Sequence, residues 1–473
     1  MISMKDILDK MLLTQVGTEN SEVFKLVECI GEGGQGAVYT TQRKNLLVKL
    51  SIAKEGADDV IKAKYRRYGS LRGRRDLPQY LAKPLSEITP VVKDGFIVYG
   101  YVMEMMEDMV SLHSLFRKNG EDPTAYISRM GGIQRMYVIL RKIAEILDGI
   151  HSIGYVYGDL NPNNVFISKD PAYTEVQLID CDNLMVAADY DGFIYYPGYG
   201  APEILKGMAR NSSITDSWSY AVLAFYTLRQ AMPFQGKMVM DAGTMELSQL
   251  ERKAEAGELP FIDEDQNNAA AHALPKDVME SPALQQLFQK AFGNDSSLSS
   301  RPVLQEWIAE FQNWEYRFVK CANKTCGSVY LKYKGVDKCP FCDEKSIEPF
   351  VVCRKMIRHD LSCSQYDAPI IAVDSPVKVE ISISEYRMLQ LEVRLDANSK
   401  KVYIKQLGDE DITVEWSIKA IGAGKKVVLR PNTPIGLSVL NKEDNFLQFA
   451  EYAFCEGNKA RGVLRFTCGG LNG

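Results

Sequence analysis

The sequence predicts a multidomain α+β protein, in which a mixed region of helices and strands is followed by a zinc ribbon and an antiparallel β-sandwich. Three observations support this prediction. A glycine-rich turn lies between strand-like runs near the N-terminus, four cysteines cluster between Cys321 and Cys342, and the C-terminal part alternates apolar and polar residues. A chain of 473 residues also exceeds the size of one ordinary domain.

Bulk composition narrows the functional class. The chain is 46% hydrophobic and 25% charged, as is ordinary for a globular protein, and its formal net charge of −5 gives no reason to expect nucleic-acid binding. No apolar run reaches the length of a membrane span, and the N-terminal residues mix acids and lysines into their apolar pattern, unlike a secretory signal. We therefore expect a cytoplasmic protein with neither a nucleic-acid nor a membrane partner.

The N-terminal part is predicted to open on a short leader helix in residues 1–20 and to continue as strand, glycine-rich turn, strand and strand from Lys25 to Leu50. The turn carries three spaced glycines and a following valine: Gly31, Gly33, Gly36 and Val38. Glycines allow the backbone to fold closely over phosphate groups and to offer N–H groups to them. A tight hairpin without a ligand is the alternative interpretation.

Lys49 lies in an apolar strand, L-L-V-K-L, where an inward lysine without a partner would be costly to bury. A lysine that reaches the α- and β-phosphates of a nucleotide explains its place, and an edge-strand lysine facing water is the alternative. Acids that could pair with it precede the next helix, at Glu55, Asp58 and Asp59.

The helix predicted at Ile61–Arg75 contains no acid and a strong excess of basic residues. Its basic stretch, Lys62–Arg75, is either a docking face for an acidic partner protein or a solvated helix face. Both interpretations stay open on the sequence.

A predicted buried helix, Ile133–Ile153, precedes the segment with the strongest chemical signal. This segment reads Y-G-D-L-N-P-N-N and, after a spacer, L-I-D-C-D. It contains an acid–amide–acid set, Asp159, Asn164 and Asp180. Phosphoryl transfer needs such a set, because one carboxylate orients the attacking hydroxyl while an amide and a second carboxylate hold Mg²⁺ against the nucleotide phosphates.

Motifs further along the chain distinguish between classes of phosphotransferase. Tyr196–Glu203 reads Y-P-G-Y-G-A-P-E and resembles the peptide-positioning loop and A-P-E of protein kinases. Thr215–Ser219 resembles their D-x-W-S helix start, and Arg301 matches the arginine that pairs with the A-P-E glutamate. Small-molecule phosphotransferases lack these elements. The chain therefore resembles bacterial eukaryotic-like (Hanks-type) Ser/Thr protein kinases, and most closely a subgroup with G-D-L-[SN]-P-N-N and L-I-D-x-D motifs.

The resemblance implies a bilobal protein-kinase fold, with an N-lobe in residues 21–110 and a C-lobe in residues 111–315, that uses ATP with Mg²⁺ or Mn²⁺. It implies that Asp159 is the catalytic base and that Lys49 and the glycine loop bind the phosphates. The segment F-I-V-Y-G-Y-V-M-E-M-M-E-D resembles the strand and hinge that hold adenine, with Met103 as gatekeeper. The other implied roles are hinge contacts by Glu104 and Met105, metal binding by Asn164 and Asp180, and structural support by Glu203, Asp216 and Arg301.

Three departures from the family pattern sharpen the functional prediction. Gly158 replaces an arginine that docks an activation-loop phosphate, and no Ser or Thr lies between Asp180 and Glu203. Asn161 replaces a lysine that neutralises the γ-phosphate, and Asp182 adds a carboxylate that either binds the metal or caps the loop. We predict a non-RD Ser/Thr protein kinase that needs no Ser/Thr phosphorylation of its activation loop. A pseudokinase or nucleotide-sensing scaffold, which binds ATP without phosphoryl transfer, is the alternative.

The cysteine cluster predicts a zinc ribbon in residues 316–350. Its spacing is C-x₄-C followed by C-P-F-C, at Cys321, Cys326, Cys339 and Cys342. Four thiolates in tetrahedral geometry suit Zn²⁺ and leave no open position, so the ion would be structural rather than catalytic. Metal binding would supply folding energy that so small a core lacks. Buried free thiols are the alternative.

Residues 351–473 are predicted to form a β-sandwich that docks a partner protein, because β-branched segments alternate with short polar turns. The runs K-V-Y-I-K-Q-L-G-D-E-D-I-T-V-E-W and A-G-K-K-V-V-L-R-P-N-T-P-I-G-L have some likeness to forkhead-associated domains. The Gly-Arg and Ser-x-x-His residues that bind phosphothreonine in that family have no clear match. Phosphopeptide binding and a scaffold role both stay open.

Overall fold

The computed structural model describes residues 4–33, 36–78, 80–186, 193–314, 318–321, 323, 325–332, 336, 338–344, 350–359, 362–365, 370–372, 376–384, 387–396, 398–421, 424–439, 444–454 and 458–469. The chain divides into two compact units. The first comprises residues 1–129, 142–273 and 288–305, and the second comprises residues 130–141, 274–287 and 306–473.

The first unit begins with an antiparallel sheet. Its strands are β1 Gln15–Gly17, β2 Val23–Gly33, β3 Gly36–Thr41, β4 Leu46–Lys54, β5 Ser86–Glu87, β6 Val91–Lys93 and β7 Phe96–Glu104, and its helices are α1 Met4–Lys10 and α2 Asp58–Arg72. The strands follow the order β1-β2-β3-β4-β7-β5, and β6 also pairs with β7. The predicted leader contributes to this sheet, because β1 pairs with β2 and Leu8 and Met11 are buried in its apolar core.

The rest of the first unit is mainly helical. Its helices are α3 Pro123–Arg129, the part of α4 Ile133–Ser152 from residue 142 onward, α5 Pro202–Leu205, α6 Ser213–Arg229, α7 Lys237–Met240 and α8 Thr244–Glu255. Helix α6 is buried along nearly its whole length and begins at Ser213, because Ser212 and Thr215 form a capping box. Among the described residues, no helix reaches the length and hydropathy of a bilayer span.

Short strand pairs frame the acid–amide–acid segment. They are β8 Met109–Ser111, β9 Tyr155–Val156, β10 Val165–Ser168, β11 Val176–Leu178 and β12 Met185–Val186. Strands β11, β10 and β8 lie side by side in that order, and β12 pairs with β9. These pairings place Asn164 before β10 and Asp180 after β11, at one end of a hairpin.

The second unit includes three helical segments from the range predicted to be the C-lobe, residues 111–315. They belong to α4, to α9 Lys276–Met279 with the start of α10 Pro282–Phe292, and to α11 Leu304–Trp314. The ring of Tyr137 lies 5.1 Å from that of Phe311 and 5.3 Å from that of Phe318, and its hydroxyl donates to Met279 O at 3.1 Å. These aromatic contacts bind the helices to the start of the cysteine-rich region.

The cysteine-rich region is a small hairpin in the second unit. Strand β13 Phe318–Lys320 pairs antiparallel with β14 Val329–Leu331. Its buried core consists of Val319, Tyr330 and two of the four cysteines, Cys321 and Cys339. So small a core cannot by itself offset the entropy of ordering the chain.

The C-terminal region is β-rich, as predicted. Its strands are β15 Phe350–His359, β16 Ser362–Gln365, β17 Ile370–Ala372, β18 Val377–Ser384, β19 Arg387–Asp396, β20 Lys401–Gln406, β21 Ile412–Ile418, β22 Lys425–Leu429, β23 Ile435–Ser438, β24 Asp444–Phe454 and β25 Asn458–Gly469. One sheet has the order β16-β15-β25-β24-β21-β22, with β17 on β15, and the other has the order β18-β19-β20-β23. Apolar residues from both sheets, among them Leu391, Ile404, Leu447 and Phe466, form one shared core.

Candidate active site

The hairpin of β10 and β11 brings two of the predicted site residues together. Val165 pairs with Leu178, and just beyond this pair the N–H of Ile179 donates to Asn164 O at 3.0 Å. Asp180 follows at once, with its backbone in the left-handed region (φ 61°, ψ 46°). An aspartate tolerates that conformation better than most residues, and its appearance at a sharp turn often marks a functional position.

Asp159 is surrounded by amide side chains. Asn161 Nδ2 lies 3.2 Å from Asp159 Oδ1, Asn164 Nδ2 lies 3.2 Å from Oδ2, and Asn183 Nδ2 lies 3.3 Å from Oδ2. Asn161 and Asn164 also donate to the Asp159 carbonyl oxygen, at 3.0 and 2.9 Å. The carboxylate is therefore held in one orientation by neutral donors.

The electrostatic environment of Asp159 makes it a plausible proton acceptor near neutral pH. Burial, and then the negative charge of Asp180, raise the pKa of the Asp159 carboxyl to about 6, against opposing contributions from Asn164, Asn161 and Lys49. General bases work best when their pKa lies near the working pH.

Lys49 lies in the same cluster. Its Nζ is 2.7 Å from Asp180 Oδ1, and its side chain is only 4% exposed, whereas that of Asp180 is 24% exposed. The ammonium group also lies 5.9 Å from the centre of the Tyr101 ring. The structure thus joins Asp159, Asn164, Asp180 and Lys49 through direct contacts and adjacent backbone bonds.

The acids considered as partners for Lys49 have exposed side chains, whereas Lys49 itself is buried. Glu55, Asp58 and Asp59 are all exposed, and Asp59 lies 3.8 Å from Lys62. Helix α2 instead packs aromatic side chains against the sheet. The ring of Tyr68 is 4.9 Å from that of Tyr101, which stands opposite Lys49 in the β4–β7 register.

The glycine-rich turn is a hairpin between β2 and β3. Gly33 pairs with Gly36 at its tip, and Val38 stands between Gly31 on one side and Lys49 on the other. Gly34 and Gln35, between the paired glycines, lie outside the described residues. A Cβ at Gly36 would lie 2.6 Å from Leu50 O, so only glycine fits this close approach.

The predicted hinge follows β7. Met103 is 8% exposed within that strand, and Glu104, its last residue, is exposed. The N–H of Met105 already donates to Asn45 O at 2.8 Å. Met105 therefore has only its carbonyl oxygen and side chain left for contact with an adenine ring.

A buried carboxylate holds the backbone at the start of the catalytic segment, Tyr157–Asn164. Asp216, which is 1% exposed, accepts hydrogen bonds from the N–H of Tyr157 at 2.8 Å and from that of Gly158 at 2.9 Å. Its Oδ2 also lies 2.8 Å from His151 Nε2. Because α6 is fixed by its burial, these bonds determine where the backbone just before Asp159 lies.

Glu203 and Arg301 form a buried, two-pronged ion pair. Arg301 Nη1 lies 2.7 Å from Glu203 Oε1, and Nη2 lies 3.1 Å from Oε2. The guanidinium carbon also lies 4.8 Å from the centre of the Trp218 ring. This pair ties the end of the predicted peptide-positioning loop to the remainder of the first unit.

Two asparagines at this site were not predicted from the sequence. Asn183 contacts Asp159, as described, and Asn211 contacts the backbone of Ile194. Asn161 stands where the family has a lysine. The structure shows that it is also a donor to Asp159. Asn183 stands in the run D-C-D-N, where its burial to 3% exposure signals a polar partner, but no spacing rule identifies that partner. The side chain of Asp182 lies outside the described residues.

The four predicted zinc ligands meet in the second unit. The Sγ atoms of Cys321, Cys326, Cys339 and Cys342 all lie within 4.8 Å of one another, with 3.6 Å between those of Cys321 and Cys342 and 3.9 Å between those of Cys326 and Cys339. Thiolates about 2.3 Å from a tetrahedral zinc ion lie about 3.8 Å apart. The donor set and its spacing therefore fit a zinc ion.

Comparison with known families agrees with this geometry. The family model described as the protein kinase domain matches residues 24–309, which is more than half of the chain. The chain belongs to the protein kinase family. The resemblance drawn from the motifs is thereby confirmed at the level of the family, and ATP with Mg²⁺ is the cofactor pair that such kinases use.

Curated relatives of the kinase domain come from bacteria and animals. The chain is 22% identical over 347 residues to protein kinase YegI of Escherichia coli, covering 69% of this chain and 50% of that protein. It is 26% identical over 219 residues to human ribosomal protein S6 kinase alpha-2, covering 45% of this chain and 28% of that protein. The chain thus spans half the length, or less, of these relatives.

Proposed function

We propose that this protein is an ATP-dependent serine/threonine protein kinase of the bacterial eukaryotic-like type. The observation that carries the proposal is the cluster of Asp159, Asn164, Asp180 and Lys49, which combines a base with a raised pKa, two oxygen donors for a metal and a buried cation. A protein is the substrate class that the family implies.

In the proposed reaction, Asp159 accepts a hydrogen bond from the substrate hydroxyl and orients its oxygen toward the γ-phosphate. With a pKa of about 6, this carboxylate is mostly ionised at pH 7. Asn161, Asn164 and Asn183 hold the carboxylate without adding charge, so the base stays in position during transfer. The hydroxyl oxygen bonds to the γ-phosphorus, the bond from that phosphorus to the bridging oxygen breaks to release ADP, and Asp159 takes the hydroxyl proton.

Asn164 and Asp180 are the residues that would hold Mg²⁺. Since Asn164 directs Nδ2 at Asp159, its Oδ1 is the atom left for a metal. The chemistry that a bound Mg²⁺ supplies is neutralisation of charge on the transferred phosphoryl group. Lys49 would place its ammonium group against the α- and β-phosphates, beneath the turn from Gly31 to Val38. We include Asp182 in the proposal as a further metal ligand.

We also propose that activity requires no Ser/Thr phosphorylation of the activation loop. Gly158 supplies no arginine to dock a phosphate, and the loop from Asp180 to Glu203 carries no Ser or Thr. Mass spectrometry of active enzyme tests this point, and an obligatory phosphotyrosine in the loop would contradict it.

Phosphoryl transfer itself is tested with radiolabelled ATP and a generic protein substrate. We expect incorporation by the wild type and its loss in Asp159→Ala. The matched control is Asp170→Asn, which alters an exposed aspartate whose Oδ1 accepts from Ala172 N–H at 2.9 Å, outside the cluster. Retained incorporation in Asp159→Ala would overturn the assigned role.

A pseudokinase or nucleotide-sensing scaffold is the second candidate function. The observations that favour it are Asn161 in place of a phosphate-neutralising lysine and the exposure of Glu55, Asp58 and Asp59. A cation missing where charge develops costs about 3 kcal/mol in comparable sites. ATP binding measured by calorimetry, together with no label transfer under any metal, would support this candidate over the first.

We propose that Zn²⁺ binds to Cys321, Cys326, Cys339 and Cys342 as a structural ion. The spacing of the four sulfur atoms supports this assignment. Elemental analysis of the purified protein should find about one zinc per chain. A protein that is folded in this region and free of zinc would contradict the proposal.

We propose that the basic stretch of α2 docks an acidic partner protein. Lys62 is exposed, and Arg66, Arg67 and Ser70 line a cavity of about 250 Å³ together with Tyr155 and residues 184–186. Charge reversal by Arg66→Glu should weaken capture of a synthetic acidic peptide in a salt-dependent manner. Equal binding by the variant would remove the support for this surface.

The C-terminal β domain is proposed as a second docking module. Its likeness to forkhead-associated domains suggests phosphopeptides, but the β20–β21 loop carries Asp409, Glu410 and Asp411, which would repel a phosphate. We therefore favour an unphosphorylated protein partner. A screen against phosphothreonine peptides should give no specific binding, and a specific hit would reverse this preference.

A further inference from the structure

Asn211 connects the chain between Asp180 and Glu203, here called the activation segment, to the N-terminal end of helix α6. Its side chain is 6% exposed and forms two hydrogen bonds to a single residue. The N–H of Ile194 donates to Asn211 Oδ1 at 2.9 Å, and Asn211 Nδ2 donates to Ile194 O at 2.7 Å. The amide thus satisfies both backbone polar groups of Ile194, as a neighbouring strand would.

The residues that follow the Asn211 anchor are held by hydrogen bonds and by burial. Asn211 directly precedes Ser212, whose hydroxyl and backbone form the capping box of α6 with Thr215. Helix α6 is itself buried and carries Asp216, which holds the backbone of the catalytic segment. The same few residues therefore fix both the catalytic loop and the chain at Ile194.

Gly158 lies against the anchor. Its φ is 77°, and a Cβ built on it would lie 3.6 Å from Asn211 Nδ2 and 3.4 Å from Met185 Cε. A side chain at this position would be strained by the positive φ, and its Cβ would lie in ordinary van der Waals contact with the amide. The glycine that stands in place of a phosphate-docking arginine therefore lies directly beside Asn211.

We propose that Asn211 is a positioning residue that fixes the activation segment at Ile194 without any phosphate, in place of a phosphorylation-dependent contact. This inference rests on the proposed kinase function. From Ile194 the chain continues into Tyr196–Glu203, the predicted peptide-positioning loop, whose Tyr199 carbonyl accepts from Ser219 Oγ of α6 at 2.8 Å. The anchor and this second bond together hold the surface on which a substrate peptide would lie.

The direct test is amide hydrogen exchange at Ile194, measured by NMR in the full chain without nucleotide. The variants are Asn211→Ala, which removes both bonds, and Asn211→Asp, which keeps an acceptor but sets a carboxylate against Ile194 O. Asn268→Ala is the matched control. Asn268 is fully buried, donates to Phe234 O and Pro260 O and accepts from Met238 N–H, all away from the site.

We expect exchange at Ile194 to accelerate by at least about fivefold in Asn211→Ala, since one net hydrogen bond corresponds to roughly that factor. Asn268→Ala should leave this amide unchanged, even where it lowers overall stability. Unaltered protection in Asn211→Ala would overturn the anchor, and this result does not depend on whether the protein transfers phosphate.

The functional arm compares kinase activity before and after phosphatase treatment. We expect the wild type to be indifferent to phosphatase and Asn211→Ala to show a raised KM for a peptide substrate with the KM for ATP unchanged. Loss of wild-type activity on phosphatase treatment would overturn the substitution of Asn211 for a phosphate. Absence of activity in every sample, with Ile194 exchange altered as expected, would refute the kinase function and leave the anchor standing.

Discussion

The catalytic segment and the cysteine hairpin fix a few side chains by opposite means. Asp159 is positioned by amide donors and, through the preceding backbone, by Asp216 on a buried helix. Among the described residues of the hairpin, the buried core is Val319, Tyr330 and two of the cysteines, and Phe318 adds a contact to Tyr137. The first site is held by a large folded unit, whereas in the second the proposed zinc ion would supply much of the stability.

This difference predicts how each region fails. Loss of one contact in the catalytic segment leaves the others in place, so the damage should be graded. Loss of one thiol in the hairpin removes one of the four ligands of the proposed zinc ion, so the damage there should be close to all-or-none. The following substitutions test this contrast in order of expected effect.

The largest effect is expected for Cys339→Ser in the hairpin. Cys339 is 1% exposed, and its loss leaves three ligands for an ion whose binding supplies about 10–16 kcal/mol in small zinc modules. We expect zinc content near zero and rapid amide exchange throughout residues 318–344. Cys29→Ser, in strand β2 and outside the cluster, is the control and should keep its zinc. A graded, partial loss of zinc in Cys339→Ser would break the proposed contrast.

A smaller but still large effect is expected for Asp216→Ala. The substitution leaves the buried N–H groups of Tyr157 and Gly158 without their acceptor, at about 1–3 kcal/mol each in free energy of unfolding. Denaturant unfolding measures this loss. The exposed Asp122, which accepts from Thr124 N–H at 2.8 Å, supplies a matched Asp122→Ala control that should cost about 1 kcal/mol or less. Equal losses in both variants would show that Asp216 does not support the segment.

The charge of Asp159 gives a third prediction, for stability against pH. Its folded-state pKa is raised from 3.8 to about 6, so the proton is bound more tightly in the folded state. Its contribution to stability is complete below pH 3.8 and is lost as the pH rises through 6. Asp159→Asn should therefore stabilise the protein without nucleotide or Mg²⁺ at pH 8, by on the order of 2 kcal/mol, and by much less at pH 4. Thermal unfolding at both pH values decides, and a variant less stable than the wild type at pH 8 would contradict the assigned burial.

The sequence predicted the features that depend on residues close to one another along the chain. Helix α4 was expected at Ile133–Ile153 and runs from Ile133 to Ser152, because its apolar periodicity is strong. Asn164 and Asp180 were expected to act together, and the β10–β11 hairpin between them is short enough for this to follow from spacing. The cysteine cluster followed from spacing in the same way.

The sequence could not predict contacts made by side chains from distant elements. Glu55, Asp58 and Asp59 were considered as possible partners for Lys49, but its ammonium group pairs with Asp180, which lies 131 residues further along the chain. The partners of Asn211 and Asn183 could not be predicted, because the partner of an amide side chain is determined only once the backbone is folded around it. The hydrogen bond from the N–H of Met105 to Asn45 O was also unpredictable, because it depends on strand register, which is a tertiary property.

The smallest effect, and the sharpest test of graded failure, is expected for Asn183. Its Nδ2 lies 3.3 Å from Asp159 Oδ2, so Asn183→Ala removes one of three amide donors and should lower the free energy of unfolding by about 1 kcal/mol or less. Loss of a donor to the charged form raises the pKa of Asp159, so the acid limb of the kcat–pH profile should move to higher pH. Asn183→Asp should move it further, because a second charge then faces the base. Asn268→Ala should not change the kcat–pH profile. An equally large shift in this control would show that Asn183 does not act through its hydrogen bond to Asp159.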